Sequence, residues 1–315
     1  MDKIKSFFKL VRWPNLLMIA IMMLLVYYCL MSPLSASGIM GIMPSPPAFL
    51  LLLVSMIFIV SGGYVINDYY DIEIDRLNKP DKLIVGNIFS DKEAKFYYRF
   101  LTFIGLLSGL ASSVMVLKTH FLTLFAILLL LCGVLHSYSS TYKKKFLAGN
   151  VIVSLSVAFA VFLPWLFEIL YLSYNELMMF VGMEIMMKVL PLVLVYTAFA
   201  FLSTLMREIV KDAEDLKGDA VTNCRTVPVV CGMKATKLVI CAMASLLYAV
   251  LIYFHIMLNQ MGSNVAMCVL VMADCILLVS VVNLIKAKEC SDFHNVSTYL
   301  KLFMLIGILT MVFVC

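Results

Sequence analysis

Charge is scarce in this chain. Of its 315 residues only 14% are Asp, Glu, Lys or Arg, against about 25% in an ordinary soluble domain. Apolar side chains fill the gap and make up 63% of the sequence. These figures exclude a water-soluble enzyme, which could not cover so much apolar surface. They also exclude a disordered chain, which needs the opposite composition. Soft metal ligands are sparse too. There are four His, and the nine Cys are scattered without one Cys-x-x-Cys pair, so neither a disulfide framework nor a zinc site is indicated. Short alternating strands are missing, which excludes a transmembrane β-barrel. What remains is an all-α, polytopic membrane protein.

Long apolar runs are what the sequence has in place of charge. With about 20 residues per crossing as the ruler, nine spans can be read, near 16–31, 48–66, 100–117, 121–137, 151–170, 189–205, 238–257, 265–285 and 299–314. If the N-terminus lies on the cytoplasmic side, 22 of the 24 Lys and Arg residues fall on that side, and only Lys118 and Lys188 on the other. Such an asymmetry predicts an inner-membrane protein with a cytoplasmic N-terminus. The formal charge of +5 is then mostly an orientation signal. It suits membrane lipids with anionic heads or phosphorylated substrates, and calls for no nucleic acid. The first span imitates a signal peptide, but its length and the charge asymmetry predict that it is kept. Gly105-x-x-x-Gly109 has the spacing of close helix packing, read as internal packing, and the 23 Met residues as apolar filler. Oligomeric state is not legible.

The acids are few and unevenly placed. The second span runs into Asn67-Asp68-Tyr-Tyr-Asp71-Ile-Glu-Ile-Asp75, and the sixth into Arg207-Glu-Ile-Val-Lys211-Asp212-Ala-Glu-Asp215-Leu-Lys-Gly-Asp219. Asp68, Asp71 and Asp75 stand at i, i+3, i+7, and so do Asp212, Asp215 and Asp219. In a helix this spacing puts each trio on one face. One trio alone is ordinary for a solvated helix end; two matched trios at two equivalent ends are a repeat of chemistry. Facing each other, six carboxylates would need cations. Oxygen ligands without nearby His or Cys favour Mg²⁺, and two ions would bridge the acids to a diphosphate. Lys79, Lys82 and Lys211 either neutralise the acids or hold phosphate oxygens. Asp274, inside the eighth span, is expected to be a paired structural acid.

Asn67-Asp-x-x-Asp71-x-x-x-Asp75-Arg-x-Asn-Lys-Pro80 resembles the first signature of the UbiA superfamily of intramembrane prenyltransferases, and Asp212-x-x-Asp215-x-x-x-Asp219 its second. Arg12-Trp-Pro-Asn15 resembles that family's entry to the first helix, and Tyr138 to Asn150, with Lys143 and Lys144, its basic loop after span four. Where the family usually shows Arg-Pro downstream of the first signature, this chain has Lys82-Leu83. The stretch Arg207–Asp219 is most similar to the digeranylgeranylglyceryl phosphate synthase branch. The resemblance implies a single domain over 1–315, with nine helices in a bundle around a central cavity and a cytoplasmic-side active site. It implies six Asp residues as catalytic metal ligands, Asp68, Asp71, Asp75, Asp212, Asp215 and Asp219, holding two Mg²⁺ ions. It implies an isoprenyl diphosphate donor, with geranylgeranylglyceryl phosphate as acceptor. Asn15, Asn67, Lys79, Lys82, Tyr138, Lys143, Lys144, Arg207 and Lys211 are then candidate substrate-binding residues, while Tyr64, Tyr69 or Tyr196 offer further aromatic faces. An aromatic acceptor, as in quinone or haem biosynthesis, is the alternative within the family. A cation transporter or a membrane-embedded scaffold stands outside it.

Overall fold

The computed structural model describes residues 3–31, 36, 43, 45–78, 83–117, 121–173 and 176–314. Among these there is no strand, only an isolated bridge between Val85 and Phe89. Twelve α-helices with defined bounds follow one another among the described residues. They are α1 (Lys3–Leu10), α2 (Trp13–Leu25, continued by a π-helical turn at Val26–Leu30), α3 (Pro46–Tyr70), α4 (Ile72–Asn78), α5 (Asp91–Leu117) and α6 (Phe121–Ser137, continued by a π-helical turn at Tyr138–Tyr142). After these come α7 (Ala148–Leu172), α8 (Glu176–Glu214), α9 (Leu216–Val221), α10 (Val227–Gln260), α11 (Asn264–Lys286) and α12 (Cys290–Leu309, ending in a 3₁₀ turn at Thr310–Phe313).

Nine of the helical segments among the described residues are long and apolar enough to cross a membrane, and they match the nine apolar runs one for one. Several begin or end well outside those runs. α5 starts at Asp91 because Ser90 and Glu93 form a capping box: the Ser90 backbone N–H donates to Glu93 Oε2 (2.8 Å), and the Glu93 N–H donates to Ser90 Oγ (3.3 Å). The polar first turns of α5 and the polar last turns of α8 extend their helices past the apolar core. Large apolar side chains stay open on the outer faces, such as Phe103, Leu130 and Leu238 at 64%, 68% and 72% exposure. In water such surface would be a liability; against lipid chains it costs nothing.

The chain divides into two compact units. The first holds residues 1–24, 33–142 and 163–188; the second holds 25–32, 143–162 and 189–315. In α7 and α8 the changeover falls beside a proline, Pro164 and Pro191 respectively. Each proline removes one i→i−4 hydrogen bond from its helix.

In the first unit α3 lies along α5 with little between the backbones. A Cβ on Gly105 would meet Ile59 Cγ1 at 2.8 Å and the Ser55 carbonyl at 3.0 Å, and one on Gly109 would collide with Leu128 and Ser55. The glycine pair is therefore internal packing, as expected from its spacing. Ser112 Oγ adds an interhelical bond to the Ala48 carbonyl (2.7 Å). In the second unit the Phe199 ring fills the space over Gly307 and packs on Phe303 (4.9 Å between centroids). Tyr196 and Thr310 hydroxyls are 2.8 Å apart.

Candidate active site

The first acidic segment belongs to the first unit. Asn67 and Asp68 lie in the last turn of α3 and Asp75 in α4. Between them Asp71 is the joint, at φ −92° and ψ −1°. The second segment belongs to the second unit and repeats this design. Asp212 lies in the last turn of α8 and Asp219 in α9, with Asp215 as the joint at φ −93° and ψ 11°. Both joints occupy the sparsely populated bridge region, where many active-site residues sit. The helical register survives each joint. Asp71 N–H donates to the Asn67 carbonyl (3.0 Å) and Asp75 N–H to that of Asp71 (2.8 Å); Asp215 N–H donates to Lys211 (2.9 Å) and Asp219 N–H to Asp215 (3.1 Å). The helix therefore bends at the middle acid of each trio, a feature the regular spacing conceals.

The side chains are held differently in the two segments. In the first, Arg12 Nη2 donates to Asp68 Oδ1 (2.9 Å), and its guanidinium lies 4.8 Å from the centre of the Tyr64 ring. Burial alone would lower the Arg12 pKa, but Asp68, followed by Tyr64 and Tyr138, raises it above its usual value, so the group stays charged. Asn15 Nδ2 donates to Tyr64 Oη (3.2 Å), and Asn67 Nδ2 donates to Asp71 Oδ2 (2.8 Å). Lys95 Nζ sits 4.7 Å from the Tyr69 ring centre. In the second segment Asp212 Oδ2 accepts from Nδ2 of Asn150 on α7 (2.8 Å). Lys211 Nζ donates to both Glu208 oxygens (3.0 Å each), and Arg207 Nη1 reaches Glu208 Oε1 (3.3 Å). Arg207 Nε is buried with no hydrogen-bond partner among the described residues, a donor open to an anion.

Other candidates are scattered around these groups. Tyr138 opens the π-helical turn after α6, Lys143 is half-buried, and Lys144 is exposed, with its carbonyl accepting the Arg225 N–H (3.0 Å). Lys79 and Lys82 lie outside the described residues. Asp274 is paired, as expected, with His255 Nε2 (2.7 Å).

The sequence reading missed four residues. Arg12 and Asn150 contact acids 56 and 62 positions away, a separation that no local pattern reveals. Glu208 engages the very cations expected to hold phosphate. Glu168 on α7 is wholly buried, and neither of its carboxyl oxygens has a hydrogen-bond partner among the described residues; a lone acid in an apolar span was its one available signal. Backbone strain is a further mark of the site. The non-glycine residues with left-handed φ are Arg12 (53°), Leu147 (56°) and Asn223 (56°) among the described residues. Each costs about 1–3 kcal/mol. They are, in turn, the partner of Asp68, the residue three before Asn150 and the residue four after Asp219.

The donor set suits a hard cation, being carboxylate and amide oxygens. No three acidic, His or Cys side chains among the described residues stand close enough to cage an ion unaided. Neither acid trio is therefore gathered into a group of three carboxylates in this structure.

Fold and site thus define an intramembrane helical protein with two bent, acid-bearing helix ends. The chain belongs to the UbiA prenyltransferase family, whose model matches residues 29–305. It is 32% identical over 234 residues to the digeranylgeranylglyceryl phosphate synthase of Hyperthermus butylicus, covering 74% of this chain and 70% of that one. To the enzyme of the same name from Methanosphaera stadtmanae it is 29% identical over 260 residues, covering 80% and 82%. A solved structure described as a digeranylgeranylglyceryl phosphate synthase in membranes shares the fold, with a TM-score of 0.62 and 24% identity over 100% of this chain and 99% of that one. So does a UbiA homolog from Archaeoglobus fulgidus bound to GPP and Mg²⁺, with a TM-score of 0.57 and 15% identity over 98% and 99%.

Proposed function

We propose that this prenyltransferase moves a geranylgeranyl group from its diphosphate to the free hydroxyl of geranylgeranylglyceryl phosphate, forming an ether lipid. The observation that carries the reading is the second acidic segment. Its sequence, Arg207–Asp219, likens the chain to the digeranylgeranylglyceryl phosphate synthases, and its bent backbone repeats the first segment. The curated relatives of that name, and the magnesium and prenyl diphosphate bound by the Archaeoglobus homolog, support the same chemistry.

In this reading the chain acts as one catalytic domain over 1–315, and each segment supplies carboxylates to a metal ion that the reaction needs. Asp68, Asp71 and Asp75 bind one magnesium ion; Asp212, Asp215 and Asp219 bind a second. The metal, when bound, neutralises the diphosphate and makes it a better leaving group. Asn67 and Asn150 fix the carboxylates of Asp71 and Asp212, so that the ligand oxygens are oriented in advance. Lys79, Lys82 and Lys211 assist at the phosphate oxygens. As the allylic C–O bond breaks, positive charge develops on the prenyl carbon, and the rings of Tyr64, Tyr69 and Tyr138 stabilise it. Asn15 holds Tyr64 in place through its hydroxyl. Lys143, Lys144 and Arg207, whose Nε lacks a partner among the described residues, bind the phosphate of the acceptor. The acceptor hydroxyl oxygen forms the new C–O bond and loses its proton to a carboxylate or to the departing diphosphate. Head-group chemistry of this kind belongs at a membrane boundary, here the cytoplasmic face of the inner membrane.

The test is an acceptor screen. Purified protein is given labelled geranylgeranyl diphosphate and Mg²⁺ with either geranylgeranylglyceryl phosphate or an aromatic acid. Label in the ether lipid is expected. Label on the aromatic acid alone would replace the proposed acceptor by the alternative one. Release of no diphosphate with either would remove the enzymatic reading.

A further inference from the structure

We propose that Arg12 is a latch on the first acidic segment: its guanidinium occupies Asp68 in the cation-free protein and leaves it when a diphosphate arrives together with a divalent ion. The inference rests on the reading of Asp68 as a cation ligand given above, and adds a condition on how that ligand becomes available.

Four observations carry it. First, a fixed cation already sits on the carboxylate, with Arg12 Nη2 2.9 Å from Asp68 Oδ1. A free divalent ion competes with it for that oxygen. Second, the grip is a single hydrogen bond from a group with five N–H donors. It lacks the bidentate geometry of a permanent Arg–carboxylate pair. The side chains are 39% and 17% exposed, so the guanidinium can leave without unfolding its surroundings. Third, the guanidinium has a second support. It lies 4.8 Å from the centre of the Tyr64 ring, and the Tyr64 hydroxyl is itself held by Asn15. Fourth, Arg12 sits at φ 53° between α1 and α2. A non-glycine residue in that conformation must be held there by its neighbours. α1 is tied separately by Lys3–Glu93 (3.2 Å) and by Phe7 on Tyr97 (5.3 Å), so the strained turn aims the side chain at the end of α3.

The consequence is coupled binding. An ion alone competes with the guanidinium for Asp68, and a diphosphate alone competes with Asp68 for the guanidinium. Together they exchange partners, so each raises the affinity for the other. Ions that arrive without donor are bound weakly, and the acids are not left uncompensated between turnovers.

The test uses the full chain in detergent with Mn²⁺ alone, followed by its EPR signal. Arg12→Gln should bind Mn²⁺ about fivefold more tightly than wild type. Lys95→Gln removes an equal charge that does not touch Asp68, and should change the affinity much less. Asp68→Asn should weaken Mn²⁺ binding. If Asp68→Asn does so while Arg12→Gln binds no more tightly than Lys95→Gln, the latch is overturned and the metal site stands. If Asp68→Asn has no effect, both readings fall. A second arm does not depend on the folding of the Arg12 variant. In EDTA, Asp68→Asn should bind a non-hydrolysable geranylgeranyl thiolodiphosphate more tightly than wild type, and more tightly than Asp71→Asn, which removes the same charge without freeing Arg12. Equal affinities for the two Asn variants would overturn the latch.

Discussion

The two acidic segments share a backbone and differ in what holds their side chains. Each bends at its middle acid, Asp71 or Asp215, with the helical hydrogen bonds intact across the joint. In the first, a cation from a distant turn, Arg12, rests directly on a carboxylate, and the amide that fixes Asp71 lies one turn back on the same helix. In the second, both nearby cations are drawn onto Glu208, and Asp212 is fixed by an amide from another helix, Asn150. The duplicated part is thus the geometry that presents carboxylates; the neutralising charge is arranged separately at each end. A carboxylate cluster needs some such arrangement, because uncompensated acids repel one another.

That comparison can be broken at several levels. Chelation of divalent cations should bring prenyl transfer to background, with Mg²⁺ restoring it; transfer that persists in EDTA would make both segments structural. Replacing either joint acid, by Asp71→Ala or Asp215→Ala, should lower kcat/KM by more than about 100-fold, beyond what loss of a ligand's hydrogen-bonding partner costs. Steady-state assays showing a large effect at one joint only would end the equivalence of the two segments. The amides should follow at about 10- to 100-fold. Asn150→Ala should fall near the upper end, since its amide ties Asp212 to α7, and Asn67→Ala near the lower, since the α3 backbone still places Asp71. The smallest effect has the opposite sign. Glu208→Gln should release Lys211 and Arg207 and lower the donor KM about threefold at nearly constant kcat, as expected for loss of a partly exposed ion pair.

Much of the architecture was legible in the sequence because a membrane imposes one strong rule: every crossing must be a long apolar helix. All nine runs became helices for that reason. Their true lengths were not legible, since the polar turns of α5 and α8 continue past the hydrocarbon on capping and backbone bonding alone. The acid trios stood out through their spacing, and the structure keeps that spacing. The bends at Asp71 and Asp215 were hidden, because a joint that preserves the i→i−4 bonds leaves the periodicity unchanged. Asn15 and Asn67 could be picked out beside motifs. Arg12, Asn150 and Glu208 could not be assigned their roles, since those roles consist of which acid or base each meets in three dimensions. Glu168 escaped notice because one acid scarcely lowers the hydropathy of a 25-residue helix.

The central claim is that carboxylates of each segment are ligands of the metal ions that the reaction needs. It is tested most directly by ³¹P ENDOR of Mn²⁺ bound to the protein with geranylgeranyl thiolodiphosphate. Strong manganese–phosphorus coupling in the wild type, diminished in both Asp71→Asn and Asp215→Asn, is the predicted result. Coupling that is absent from the wild type, or unchanged in either variant, would contradict it.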